Sequence, residues 1–473
     1  MPNDAAEQQQ SAAAALKHAD LTLDELWVRY FALGGNAGLV EVDAYLHGLN
    51  GLDRAQRDVL AHAVNERLDE LTPPRRAGYS RHARADRSRA DSLEALVGLL
   101  EGAELAPPER LPALLDGAAG LLGVRVAVLL ADKEERSLHP WSADGTRGGP
   151  TLDLDTTPAG CAFRELRVLP VESDGRLLLW VPLLDGAERL GVLRVEVDDP
   201  ADLYDPELRA RCRWLAMLVG HLVTLLGRYG DAADLVRSPG PHAPAGELAS
   251  ALLPPPTAGV DRFVVTAAGN AYDYALSDRT ASFVVLDAGG HDSRGLVVAT
   301  ALATHRSARR EGLGLADRVC AVDEAVRRTF GPTTTVTAVF AEVDLTTGGL
   351  VHLVAGHPAP LVVRAGRRVD VLGAGSAPAL GTGLRHLTPA EDLLGHEDWL
   401  VLRTAGTTAA RDERGEPFGE ARFAESLLGE AAAGRPPVEV VRRLVRAISG
   451  HAASREEVTL VLTMWTDPRR ITP

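Results

Sequence analysis

The sequence predicts an α+β protein built in three units, and three observations carry that reading. Residues 259–467 hold seven apolar, strand-like runs at hairpin spacing, with helices gathered in blocks between them. Residues 92–228 run helix, strand, hairpin and helix. Stretches rich in Pro, Gly or Arg, at 72–91 and 229–258, set these units apart from each other and from a helical N-terminus. A chain of 473 residues suffices for two or three domains that each bury a core. With 45% hydrophobic and 24% charged residues it has the profile of a soluble globular protein. Aromatic residues make up only 4%, so Leu, Val and Ala must do most of the packing.

Residues 1–20 are rich in Gln and Ala, and disorder is expected there. From 21 to 71 apolar residues recur at steps of three and four (Leu26, Tyr30, Leu33; Val59, Ala63, Leu68), which predicts a small helical module of three helices. Residues 72–91 carry six arginines among Pro, Gly and Ser and read as a solvated tether. In 92–228 two helices precede the strand RVAVLLA; the strands LLLWVPLL and GVLRVEV follow, and an amphipathic helix, 206–228, closes the unit. That order is similar to a GAF-type sensory domain, an α/β fold. His139, Trp141 and Cys161 are its candidate pocket residues, with core or loop roles as the plainer expectation. The closing helix places Leu208, Leu215 and Leu222 at sevenfold spacing, with Leu218 and Leu225 between. That seam could pair two chains into a homodimer, or pack on the domain's own sheet.

Charge and cysteine usage exclude several classes. A net charge of −15 argues against a general nucleic-acid binder, whose footprint is basic. The longest apolar run, residues 215–227, has 13 residues and is too short to span a bilayer, so no membrane partner is expected. The first ten residues lack the apolar core of an export signal. Cys161, Cys212 and Cys320 stand far apart without a CxxC pair, as buried thiols of a reducing cytoplasm would.

The chemistry is expected at the strand ends of 259–467. AAGNAYDY (267–274) and DAGGHD (287–292) follow the first two strands, and AGHPAPLVV (355–363) turns between two others. RTAGTTAARDERGEPFG (403–419) follows a strand, and SREEVTLVL (454–462) leads into the last. With LLPPP at 252–256, this series resembles the PPM-type metal-dependent serine/threonine phosphatases, in their bacterial SpoIIE-like branch. The resemblance spans the whole C-terminal domain. It implies a sandwich of two antiparallel sheets between helical layers, and hydrolysis of phosphoserine or phosphothreonine on a protein. The expected partner is a phosphoprotein of the anti-sigma factor antagonist class. It also implies two Mn²⁺ or Mg²⁺ ions that activate a water. Two such ions about 3.5–4 Å apart repel each other, and clustered carboxylates hold them there.

Carried over by position, the motif departs from the family. Ala268-Gly269-Asn270-Ala271-Tyr272-Asp273 puts an amide, Asn270, where the family has its first acid. Asp287 is kept, with Ala288 offering a backbone carbonyl. Thr404-Ala405-Gly406 has a methyl group where an acid belongs, and Glu456-Glu457 replaces an Asp pair. The implied metal ligands are therefore Asp287, Ala288, Asn270 and Glu456, with Asp273 and Asp292 as acids that could compensate. His357 is expected to hold a turn. Losing two formal charges predicts a regulator with weak or absent hydrolysis. The alternatives are a working Mn²⁺- or Mg²⁺-dependent phosphatase with a reduced site, and a dimeric sensor or scaffold.

Overall fold

In the computed structural model the chain divides into two compact units, residues 1–185 with 189–239, and 240–473 with 186–188. Described are residues 4–17, 19, 21–33, 35–71, 85–142, 147–173, 175–238, 247–248, 251–260, 263–289, 294–453 and 458–466.

The first unit opens with α1 (Asp4–Leu16), α2 (Leu23–Ala32), α3 (Leu39–Leu46) and α4 (Arg54–Leu71). The disorder expected over 1–20 gives way to α1, because its alanines find a partner surface. Ala12, Ala15 and Ala19 are buried with Leu26, Tyr30, Leu60 and Val64. The Gln8 side chain accepts from the Tyr45 hydroxyl at 2.8 Å and donates to the Arg57 carbonyl at 3.0 Å. Thr22 caps α2 in a reciprocal box with Glu25. The expected tether at 72–91 lies outside the described residues up to 84, and its remainder belongs to α5 (Ala85–Ala103).

The unit continues through α6 (Leu111–Leu121), β1 (Arg125–Ala131), β2 (Ser137–Trp141), β3 (Leu152–Asp153) and α7 (Pro158–Glu165). It closes with β4 (Leu169–Ser173), β5 (Arg176–Asp185), β6 (Glu188–Val197), α8 (Pro206–Leu226) and α9 (Ala232–Arg237). The strands form one six-stranded sheet in the order β3-β2-β1-β6-β5-β4. Period-two alternation decides its faces. Val128 and Leu130 turn toward α5, α6 and α8, whereas Leu129 and Ala131 turn toward α7. Leu208, Leu215 and Leu222 of α8 lie in the unit's own core, whereas Leu225 of the expected seam is about half exposed. Within the expected linker 229–258, α9 buries Ala232, Ala233 and Val236 against that core.

The second unit starts with β7 (Thr257–Val260), β8 (Phe263–Ala268), β9 (Tyr272–Leu276) and β10 (Thr280–Ala288). Then come α10 (Arg294–Arg310), α11 (Leu315–Phe330), β11 (Val336–Asp344), β12 (Gly349–Ala355), β13 (Leu361–Arg364), β14 (Arg368–Val371) and β15 (Ser376–Ala377). It ends with β16 (Ala390–Leu393), β17 (Trp399–Arg403), α12 (Gly406–Ala409), α13 (Glu420–Ala432), α14 (Pro437–His451) and β18 (Leu460–Trp465). One sheet runs β15-β12-β11-β10-β9 with β16 beside β12, and the other runs β14-β13-β17-β18-β8-β7. All recorded pairings are antiparallel except that of β12 with β15. Alternating residues build three cores. Phe283, Val285, Val265 and Leu402 fill the space between the sheets. Val284 and Leu286 pack under α10 and α11, and Val401 and Leu462 under α13 and α14. The result is the predicted α+β sandwich, helices outside and two sheets within. Each large apolar side chain buried this way contributes about 1.5–3 kcal/mol.

Candidate metal centre at the rim of the C-terminal sandwich

Strand register gathers the motif positions at one rim. Ala268 at the end of β8 pairs with Leu460 at the start of β18, and Leu460 pairs with Arg403 at the end of β17. Asn270 therefore follows one strand end, Ala405 follows the next, and residues 458–459 enter between them. Gly269 makes the crowding possible: its φ is 110°, and a Cβ there would lie 2.5 Å from the Val458 carbonyl. Thr404 and Thr459 lock the loops together. The Thr404 amide donates to the Thr459 carbonyl at 2.9 Å, and the Thr459 amide donates to Thr404 Oγ1 at 3.0 Å. The loop then crosses to the other sheet, where the Leu286 amide donates to the Ala271 carbonyl at 2.9 Å. That places Asp287 and Ala288 at the same rim.

Asp287 is partly exposed, and its Oδ1 accepts from Arg294 Nη2 at 3.0 Å. Opposite it on β11 stands Thr337, whose hydroxyl meets the Asp287 carbonyl at 3.4 Å and His357 Nδ1 at 2.9 Å. His357 is buried, and burial pushes its pKa down to about 4, so the ring is neutral. It holds the turn after β12 against β11, as its place in GHPAP suggests. Ala288 is buried at the end of β10. Glu456 and Asp292 lie outside the described residues.

Asp273 does not stand in for a missing ligand. It faces α10, where Arg306 bonds its Oδ1 through Nη2 at 2.7 Å and through Nε at 3.0 Å, and Arg309 bonds its Oδ2 at 3.0 Å. Its side chain is 1% exposed, and two guanidinium groups answer its charge. Arg306 and Arg309 sit three apart on one helix, a spacing legible in the sequence once Asp273 is known to face that helix. Arg294 carried a different signal. It is a cation at the first turn of a helix, where the macrodipole favours acids, and so calls for a carboxylate nearby.

Asn270 and Ala405 bring no charge, Asp287 is engaged by Arg294, and Asp273 is consumed elsewhere. Among the described residues, no group of three or more His, Cys, Asp or Glu side chains is placed to hold a metal ion.

Residues 277–466 match the family model of stage II sporulation protein E (SpoIIE). The C-terminal unit is a SpoIIE-type phosphatase domain. Solved structures similar to the chain include the RsbU and RsbW domains of a Mycobacterium tuberculosis protein, 23% identical with a TM-score of 0.38, covering 45% of this chain and 63% of that one. The SiaA-PP2C domain of Pseudomonas aeruginosa is 25% identical with a TM-score of 0.36, covering 41% of this chain and 80% of that one. A Bacillus subtilis SpoIIE phosphatase domain with a fragment of its regulatory domain is 13% identical with a TM-score of 0.36, covering 43% and 64%. The chain thus spans less than two thirds of the first and third of these structures. No curated protein matches it.

The pocket residues proposed for the first unit do not converge. Trp141 packs under α5, α6 and α8, whereas Cys161 lies on α7, over the opposite face of the sheet. His139 Nε2 meets Ser137 Oγ at 2.9 Å, and that hydroxyl donates to Asp132 at 2.5 Å, so the cluster closes the β1–β2 hairpin. Of the three free cysteines Cys212 is buried, while Cys161 and Cys320 are partly exposed. No described helix is long and apolar enough to cross a membrane.

Proposed function

We propose that the chain is a cytoplasmic signalling regulator whose SpoIIE-type domain recognises a phosphoprotein of the anti-sigma factor antagonist class and hydrolyses it weakly or not at all. One observation carries this reading: the rim where the family places acids presents the neutral side chains of Asn270 and Ala405 beside an Asp287 already paired with Arg294. A hard divalent cation needs several anionic oxygens, and a dinuclear pair needs more. The test is calorimetric titration of the full chain with Mn²⁺, together with phosphate release from phosphoserine peptides. Absence of both is expected; saturable Mn²⁺ uptake with phosphate release would overturn the reading.

The second reading is an active enzyme with a reduced site, in which Asp287, Ala288, Asn270 and Glu456 hold one Mn²⁺ or Mg²⁺. It is favoured by the register that brings Asn270, Asp287 and the chain entering β18 to one rim. The same titration separates the two, since a single-metal enzyme binds Mn²⁺ in a 1:1 ratio and turns over.

A dimeric sensor role for the first, GAF-like unit rests on the exposed side of α8, which keeps Leu225 of the expected seam but not its buried sevenfold leucines. Trp214, Met217 and Leu225 of α8 are each about half exposed, and Leu93, Val97 and Leu100 form a similar stripe on α5. Exposed Glu94 and Glu101 flank the α5 stripe, and exposed Arg213 and Arg228 the α8 stripe, so α5 of one copy complements α8 of another. Sedimentation should show a dimer at micromolar concentration that Trp214→Glu splits. A native chain that stays monomeric would remove this role.

A further inference from the structure

We infer that Arg294 is a resident cation: its guanidinium takes the electrostatic place of a metal at Asp287. The inference rests on the reading that the rim holds no metal pair, and adds what the chain supplies in its stead. Two observations lead to it. Arg294 is the first residue of α10, a helix of 17 residues, so its charge sits at the positive end of the macrodipole. A cation in that place needs an anion, and Asp287 Oδ1 supplies one at 3.0 Å from Nη2. Both side chains keep some exposure, 25% for Arg294 and 31% for Asp287, so the pair lies at the rim itself.

Charge decides the rest. Asn270 and Ala405 are neutral, and Asp287 is already paired with Arg294. A divalent ion on Asp287 would meet the Arg294 guanidinium a few ångströms away. Acids returned to positions 270 and 405 would still face Arg294. Restoring the family's acids is therefore not sufficient to restore a metal site; Arg294 has to leave as well.

A plainer role is a local clamp between two residues seven positions apart, and the test separates the two. Mn²⁺ binding is measured by calorimetry and by loss of the free-ion electron paramagnetic resonance signal. The proteins are the native chain, the double variant Asn270→Asp/Ala405→Asp, and the triple variant that adds Arg294→Met. A resident cation predicts that the triple variant binds Mn²⁺ roughly tenfold or more tighter than the double. Equal or weaker binding by the triple variant overturns the inference and leaves a clamp. Saturable Mn²⁺ binding by the native chain overturns the reading beneath it, a distinguishable failure. Should the triple variant not fold, urea unfolding of Arg294→Met, Asp287→Asn and their combination decides. A coupling of about threefold or more in the unfolding equilibrium is expected, and strict additivity overturns the inference.

Discussion

Two aspartates of the same sheet, Asp273 on β9 and Asp287 on β10, meet arginines in opposite circumstances. Asp273 is sealed beneath α10, where both of its oxygens are bonded by guanidinium groups. Asp287 stands at the rim, paired with Arg294 and partly exposed. A carboxylate deprived of water must be fully compensated, which makes Asp273 part of the scaffold. A carboxylate that keeps some water can exchange partners, as the partly exposed Asp287 can. Sequence proximity to a motif therefore says little about whether an acid is available to a ligand.

That contrast can be broken by mutation. Asp273→Asn strands two arginines that are only about a fifth exposed, and should cost about 3–5 kcal/mol, read from hydrogen exchange of β9 and α10 amides under urea. Should Asp287→Asn cost as much, the distinction fails.

Acid titration sharpens it further. His305, on α10 beside Arg306, is fully buried, and burial, reinforced by Arg309, pushes its pKa from 6.5 down to about 3. The unfolded chain then takes up the proton first, so stability is complete above pH 6.5 and is lost as pH falls toward about 3. The slope is up to about 1.4 kcal/mol per pH unit for each such histidine. His357 at the rim behaves alike between pH 6.5 and about 4. His305→Phe, placed against Phe340, should flatten the decline by one proton; an unchanged slope would show that His305 titrates normally.

The smallest effect belongs to Arg294→Met. Loss of a partly exposed pair should cost about 1 kcal/mol or less in the same exchange measurement. A loss matching that of Asp273→Asn would mean the rim pair is scaffold too.

Much of this architecture was legible because period-two alternation in runs such as SFVVLDA fixes both faces of a strand at once. Burial against two layers follows from it. The neutral residues at 270 and 405 were legible for the same reason, since each follows a strand end. Other features depend on partners that local sequence does not name. The sevenfold leucines of α8 fit a second chain and a sheet equally well, and the sheet of their own unit took them. The alanines of α1 looked like disorder because their burial depends on α3 and α4. Asp273 looked available because its arginines arrive from 33 and 36 residues away.

The proline run at the head of the C-terminal unit is fastened by side chains far along the chain. Tyr274 donates to the Pro255 carbonyl at 2.6 Å, Tyr272 to that of Pro254 at 3.3 Å, and Arg306 to that of Leu252. Anyone excising the phosphatase-like half for expression should accordingly begin the fragment upstream of Leu252. A fragment cut at the first full strand would leave two phenols and a guanidinium without their acceptors, and would misreport how robust the domain is.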